Sequence, residues 1–399
     1  MARKSSKPRK AERAPTAKPA RRRGENNFIT EWFGHRLYPT VVGTAESIAD
    51  QKMQRCPFIS IVTEKDSSCV KSDASRGVCS ISSARQPRDF MVCPLRALGS
   101  SIVEDATRRL FRITSADPVA IVAAPALDES SRRTDLLARL DAGERVLVQL
   151  HSKLGGEVSI PATDRSPELS FDVTVVEIVR SASGAACLDR YGIVEIQTMD
   201  FHGSYRYAVK NLTDALRLHD ADFPAALQSN PKWMSERVEG PNLANVFKRT
   251  FYQMMLKFHI GAHPPCTGCV LAVPIAVWDS WQRHLGRPTL VPRSDGTFAL
   301  RIDPAASLDG WTPTAWIYAF EVDAASPISP NPIRIQKVIA TDSEALAHYA
   351  LRVAPDAIVQ AGGSVNAVLS RVHERLSVLW PELAPSVASE CPNLPPSVP

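Results

Sequence analysis

The sequence predicts an α/β fold with a cysteine-rich, metal-binding subdomain near its N-terminus. Three observations lead there. Short apolar, β-branched runs of strand length alternate with longer stretches of helical, amphipathic spacing. Cys56, Cys69, Cys79 and Cys93 fall in one segment that has little apolar periodicity of its own. Two of the strand-like runs carry a carboxylate inside them, Asp172 and Glu195.

Residues 1–27 are Lys, Arg, Ala, Pro and Ser without periodicity, and are expected to be a disordered basic tail. Either they add non-specific phosphate contacts or they are simply solvated. Met1 to Arg23 holds ten Lys or Arg and one Glu, about +9. The whole chain carries +5, so the remainder carries about −4. A nucleic-acid site on that body must therefore be a local basic cleft.

Structure is expected to begin with the aromatics of Phe28-Ile29-Thr30-Glu31-Trp32-Phe33-Gly34-His35-Arg36, followed by a helix over 41–55. The segment 56–93 has too small a core to hold itself together, and four thiolates around one tetrahedral ion would replace that core. An all-sulfur tetrahedron suits zinc or iron. The wide spacings do not match a close-paired zinc finger, and four unligated buried cysteines are the alternative. This subdomain is placed at 28–98, and the α/β body at 99–384.

In the body, helices are expected over 95–110 and 132–140, with strands at 119–122 and 145–150. Asp141-Ala142-Gly143 ends the second helix by turn chemistry. Gly155-Gly156-Glu157 precedes the short apolar run 158–161. Strands follow at 169–176 and 191–200, then a helix over 207–218 and an irregular stretch over 219–240. Leu243 to His259 is a strongly amphipathic helix, whose Phe247, Phe251, Met254, Met255 and Phe258 suit the core or a dimer contact. A strand at 270–275 and a helix to about 284 come next. Strands at 298–302, 316–321 and 333–339 follow, and helices at 343–353 and 365–379 close the fold. Residues 385–399 are proline-rich and expected to be disordered. Cys266-Thr267-Gly268-Cys269 is a lone CxxC, read as two ordinary thiols.

Hydrophobic content of 44% and charged content of 22% are ordinary for a globular protein. No apolar run approaches the roughly 20 residues that cross a bilayer. The basic start is not followed by an apolar h-region, so a cytoplasmic location is expected. Cysteines there serve as thiols or metal ligands more often than as disulfides.

The two acids carry the chemistry. Side chains alternate along a strand, so Glu195 and Gln197 share one face while Val194 and Ile196 share the other. A carboxylate and an amide on an apolar strand are costly unless something uses them. Asp172 and Glu195 are candidate direct ligands of Mg²⁺, a hard ion held by carboxylates, waters and substrate oxygens. The Ile196 carbonyl is a further candidate ligand, and Glu157 a third acid. Such an ion polarises a phosphodiester and lowers the pKa of a bound water. Gln197 would hydrogen-bond that water. Arg206 and Lys210 follow directly and are candidate phosphate contacts, with a solvated helix face as the alternative.

Together these features resemble the PD-(D/E)XK nuclease superfamily, and within it the NotI-like type II restriction endonucleases. The resemblance rests on motifs in order: Glu31-Trp32-Phe33-Gly34-His35, Cys56-Pro57-Phe58 with Cys69, Cys79 and Cys93-Pro94, then Gly156-Glu157, Asp172, Glu195-Ile196-Gln197 and Phe201-His202-Gly203. It spans roughly residues 28–379. It implies a mixed central sheet flanked by helices and a homodimer on double-stranded DNA. It implies Mg²⁺ at Glu157, Asp172, Glu195 and Gln197, and a structural iron on the four cysteines, with zinc as the alternative. Lysine is usual at the place of Gln197, and NotI-like enzymes also have glutamine there. The expected activity is Mg²⁺-dependent, site-specific cleavage of DNA alongside a cognate methyltransferase. The alternatives are another nuclease role on the same core, in repair or defence, and a non-catalytic, metal-stabilised DNA-binding protein.

Overall fold

The computed structural model describes residues 26–84, 86–199, 204–360 and 364–381. The expectations for residues 1–25, 385–399 and 200–203 lie outside that range, while Asn27, expected to belong to the disordered tail, is buried and donates to the Val238 carbonyl at 3.0 Å.

The cysteine segment holds more regular structure than its sequence predicts. β1 (Ile29–Trp32) and β2 (His35–Arg36) form a hairpin, joined by β3 (Val78–Ser83) and β4 (Gln86–Met91) in the antiparallel order β2-β1-β3-β4. α1 (Ala45–Met53) starts where the Thr44 side chain accepts from the Ser47 amide, and α2 (Pro57–Thr63) follows Cys56. The helix expected over 95–110 is broken. A 3₁₀ turn covers Pro94–Ala97, and α3 (Ser101–Leu110) begins afresh because the Ser100 hydroxyl caps its N-terminus.

The body is α/β. Its strands are β5 (Val119–Ala123) and β6 (Arg145–His151), joined by α4 (Ser130–Asp141), then a small pair β7 (Val158–Ile160) and β8 (Leu169–Phe171), and then β9 (Val173–Arg180) and β10 (Ala186–Ile196). α5 (Arg206–His219) follows. The stretch expected to be irregular contains α6 (Phe223–Ser229), with Pro224 at its start where a missing N–H costs nothing. α7 (Leu243–Gly261), β11 (Cys266–Pro274) and α8 (Ile275–His284) come next. Then come β12 (Val291–Pro292), β13 (Phe298–Ala299), β14 (Ala315–Val322) and β15 (Ile333–Thr341). The helix expected over 343–353 is α9 (Ser343–His348) running into a π-helical turn, and α10 (Ala354–Gln360) and α11 (Ser364–Leu376) end the described chain.

Nine of these strands form one mixed sheet in the order β12-β13-β15-β14-β11-β10-β9-β6-β5. β10 is antiparallel to β9 and parallel to β11, so the sheet changes sense at β10. Helices cover both faces. Along β11, Cys269, Leu271 and Val273 join an apolar cluster with α5, α7 and α8, while Val270 and Ala272 join a second cluster with α3. A strand buried on both sides reads as a continuous apolar run, which is why β11 and β14 are visible in the sequence.

The segment before residue 98 shares these cores. Ile29, Trp32, Phe33 and Ile81 belong to the first cluster, and Phe58, Cys79 and Cys93 to the second. A buried polar network adds to the apolar contact. Arg96 and Glu31 are 2% and 0% exposed, and the Arg96 guanidinium donates to both carboxylate oxygens of Glu31, at 2.6 and 2.8 Å. Arg96 also donates to the Asn331 carbonyl at 2.6 Å, on the loop entering β15. Glu31 accepts in addition from Ser80.

Removing one partner of such an enclosed pair strands the other. Arg96→Met is expected to lower the unfolding free energy by about 3–5 kcal/mol, measured by urea titration. Arg96→Met combined with Glu31→Gln should recover part of that loss. An Arg96→Met chain as stable as the parent would show that the network contributes nothing.

Candidate active site

The sequence predicts one strand over 169–176, but the structure splits it at Asp172. β8 pairs with β7 away from the main sheet, and β9 starts at Val173. The break frees the Asp172 amide from the ladder. With Val173 opposite Val194, Asp172 stands beside Glu195. The two then clasp each other. The Asp172 N–H donates to Glu195 Oε1 at 3.2 Å, and the Ile196 N–H donates to Asp172 Oδ2 at 2.9 Å. β10 itself ends at Ile196, short of the expected end, so Gln197 lies just past it.

Glu195 is 6% exposed and faces the apolar side that packs on α7. Burial, then the nearby Asp172 charge, pushes its carboxyl up to about 7, while Lys257 holds it down. Lys257 comes from α7, is 4% exposed, and its Nζ lies 2.5 Å from Glu195 Oε2. Two turns earlier on the same helix, Thr250 donates to Gln197 Oε1 at 3.2 Å, and Gln197 Nε2 donates to the Thr198 carbonyl at 2.8 Å.

A polar cavity of about 520 Å³ opens here, lined by Glu157, Asp172, Glu195, Ile196, Gln197 and Lys257 among others. Every acid and amide proposed from the sequence thus lines one space. Glu157 is brought there by the turn Gly155-Gly156, both at positive φ (88° and 113°), which favours glycine. Arg206 and Lys210 are not part of its lining. They lie on the exposed face of α5, where Lys210 pairs with Asp214 at 2.8 Å.

Lys257 escapes a reading by strand motif because it sits in the apolar run of α7. The signal was nonetheless present: a lysine between Leu256 and Phe258 falls on the stripe that the helix buries. His151 is a second such residue. It is 7% exposed and borders an adjoining cavity together with Asp172 and Glu157. Burial lowers its pKa, against the raising effect of Asp172 and Glu157.

The donor chemistry at Asp172, Glu195 and the Ile196 carbonyl is that of a hard divalent ion. As placed, the carboxylates are engaged by backbone amides and by Lys257. Among the described residues, no three His, Cys, Asp or Glu side chains are grouped to hold an ion. The same holds for the cysteines, although the fold draws them into one neighbourhood. Burial pushes the Cys56 thiol up to about 11, and the charges of Cys93 and Cys69 add to this. Cys79 is raised by burial and then by Cys93. The Lys71 ammonium closes the group, donating to the Val78 carbonyl at 2.6 Å and acting on both Cys79 and Cys93. Cys93 also borders the cavity beside Asp172 and Glu157. Cys266 and Cys269 are buried in β11, and Cys187 lies in β10. No helix among the described residues is long and apolar enough to cross a membrane. No known family model matches the chain, and no curated protein matches it.

The Glu195–Lys257 pair makes its own prediction. Lys257→Met leaves a buried carboxylate without its cation, at a cost of about 3–5 kcal/mol near neutral pH. A carboxyl whose folded pKa lies above its unfolded value destabilises the fold once pH exceeds the unfolded value, and removing Lys257 widens that gap. The deficit should therefore be larger at pH 8 than at pH 5 in paired urea titrations. An equal deficit at both would show that the charge of Glu195 is not what Lys257 offsets.

Proposed function

We propose that the chain is a Mg²⁺-dependent, site-specific endonuclease on double-stranded DNA, of the NotI-like type. The observation that carries this reading is the convergence of Asp172, Glu195, the Ile196 backbone, Gln197, Glu157 and Lys257 on one polar cavity. They come from four separate stretches of the sequence, at 157, 172, 195–197 and 257, and they include each acid that the motif resemblance requires.

The bound ion would polarise the phosphodiester and supply hydroxide at neutral pH. Asp172 and Glu195 would hold it, with the Ile196 carbonyl alongside and Glu157 from the Gly155-Gly156 turn. The clasp between Asp172 and Glu195 orients both carboxylates before substrate arrives. Gln197 keeps a second amide N–H beyond the one given to Thr198, and that donor would orient the attacking water. A neutral amide contributes no charge. Lys257 provides it instead, from a helix where the superfamily motif has a lysine on the strand. Its ammonium would stabilise the charge that builds on the phosphate in the transition state.

A homodimer suits two-fold DNA sites. Support for it comes from α11, which leaves Leu369, Val372 and Leu376 exposed at helical spacing. The structural iron, or zinc, on Cys56, Cys69, Cys79 and Cys93 belongs to the same proposal, supported by four thiols gathered in one neighbourhood.

Digestion of a plasmid library with purified protein and Mg²⁺, followed by sequencing of the ends, tests the reading. A single repeated end sequence is expected. Asp172→Ala and Glu195→Ala should each slow cleavage by about 10³-fold or more while DNA binding survives. A variant cutting at the parent rate would remove that residue from the site.

Elemental analysis tests the cysteine centre separately. The expected result is close to one iron or zinc per chain, lowered by serine at Cys56, Cys69, Cys79 or Cys93 and untouched by Cys187→Ser. Metal-free protein with full activity and stability would sink the assignment.

A further inference from the structure

α7 ends in a pair of imidazoles that belongs to neither the carboxylate cavity nor the cysteine group. His259 lies in its last turn, and His263 follows one turn later, just past the cap residue Ala262. Residues four apart stand on one helix face. Both histidines are exposed, and neither lines the cavity around Glu195. Their Nε2 atoms face each other at 3.4 Å, with ring centroids 4.8 Å apart and ring planes turned 73° to one another.

A hydrogen bond explains this contact poorly. Only one of the two nitrogens can carry the shared hydrogen, and 3.4 Å is longer than the roughly 2.7–3.2 Å of an ordinary N–H bond to an acceptor. An ion between the two lone pairs explains it better. Zinc–imidazole bonds are about 2.0–2.1 Å long, and at a tetrahedral angle two of them place their nitrogens about 3.3–3.4 Å apart. That is the separation of His259 and His263.

The backbone holds the pair in place by itself. The Ala262 N–H donates to the His259 carbonyl at 3.1 Å, the His263 N–H donates to the Ile260 carbonyl at 3.0 Å, and the His263 carbonyl accepts from the Cys266 N–H at 3.0 Å. His263 is therefore tied both to the helix it follows and to the strand β11 it precedes. Ligands fixed beforehand lose less freedom on binding. The pair also lies at the carbonyl end of a helix of 19 residues, where the partial negative charge of the backbone favours a cation. Ala262, Pro264 and Pro265 beside it are exposed, so water can take the remaining coordination positions.

We propose that His259 and His263 bind a divalent transition-metal ion of the zinc, nickel or copper class. Imidazole suits those ions, whereas Mg²⁺ takes oxygen ligands, so the site is chemically separate from the carboxylates around Glu195. It is separate from Cys56, Cys69, Cys79 and Cys93 as well, which lie in the segment before residue 98. The ion would staple the end of α7 to the connection into β11. α7 brings Thr250 and Lys257 to the Glu195 cavity and β11 brings Leu271, so the staple joins two elements of that cavity's wall. The proposal stands whether or not that cavity cleaves DNA.

Calorimetric titration of the full-length protein with Zn²⁺ tests the proposal, in excess Mg²⁺ so that oxygen sites are filled beforehand. The parent is compared with His259→Gln, His263→Gln and, as an exposed histidine outside the pair, His219→Gln. The difference between parent and variant separates the pair from any ion on the cysteines. Both histidines of the pair are exposed, so the variants should melt with the parent when metal-free. The expected result is a Zn²⁺-binding step present in the parent and in His219→Gln, and weakened about tenfold or more by either His259→Gln or His263→Gln. Zn²⁺ should also raise the melting temperature of the parent by more than that of those two variants. Zn²⁺ binding and melting shifts unchanged in either His259→Gln or His263→Gln overturn the proposal, leaving a histidine hydrogen bond only. Loss of the same step in His219→Gln overturns it too, because the ion would then lie elsewhere.

Discussion

The site depends on one constraint, the charge of Glu195 inside an apolar sheet face. β10 lies between β9 and β11, and Ile193 on the same face as Glu195 is fully buried. A carboxylate there needs a cation and hydrogen bonds, or it stays protonated. The structure supplies both. Lys257 comes from the helix above, and the Asp172 amide comes from the neighbouring strand. Each has a structural counterpart: α7 must place a lysine in its buried stripe, and β8–β9 must break for one residue. The strand interruption at Asp172 is therefore a requirement of the pair and not a local irregularity.

The main sheet was legible because its strands are buried on both faces and read as apolar runs. The long helix α7 and the acids of the cavity were legible too. The rest was hidden for identifiable reasons. Asp172 looked like part of one strand because the flanking residues are apolar on both sides, and only pairing partners distinguish β8 from β9. Lys257 was invisible as a lining residue of the cavity because its neighbours along the helix are core residues. β3 and β4 were missed because Ser80, Ser82 and Ser83 resemble loop composition, and cross-strand pairing outweighs that weak propensity. The Ser100 cap was missed because Gly99-Ser100-Ser101 reads equally well as a turn.

The cysteine segment illustrates how a correct premise can lead to an incomplete inference. It does lack a core of its own. The rest of the chain fills much of that need, since Phe58, Cys79 and Cys93 pack into the same cluster as Val173 and Val194. Cys56, Cys79 and Cys93 are consequently held together by packing, while Cys69 packs against the other cluster. A missing local core therefore does not by itself call for a metal ion.

The enclosed pair of Arg96 and Glu31 has a consequence for how this chain changes over generations. Both side chains are shut away from water, and each is the other's main neutralising partner. A substitution at either position alone produces a chain with a stranded charge, and selection removes it before a second change can arrive. The two positions, 65 residues apart, should therefore drift only as a couple. Where one descendant has lost the arginine, the acid should be gone as well, with an apolar pair of similar volume in their place.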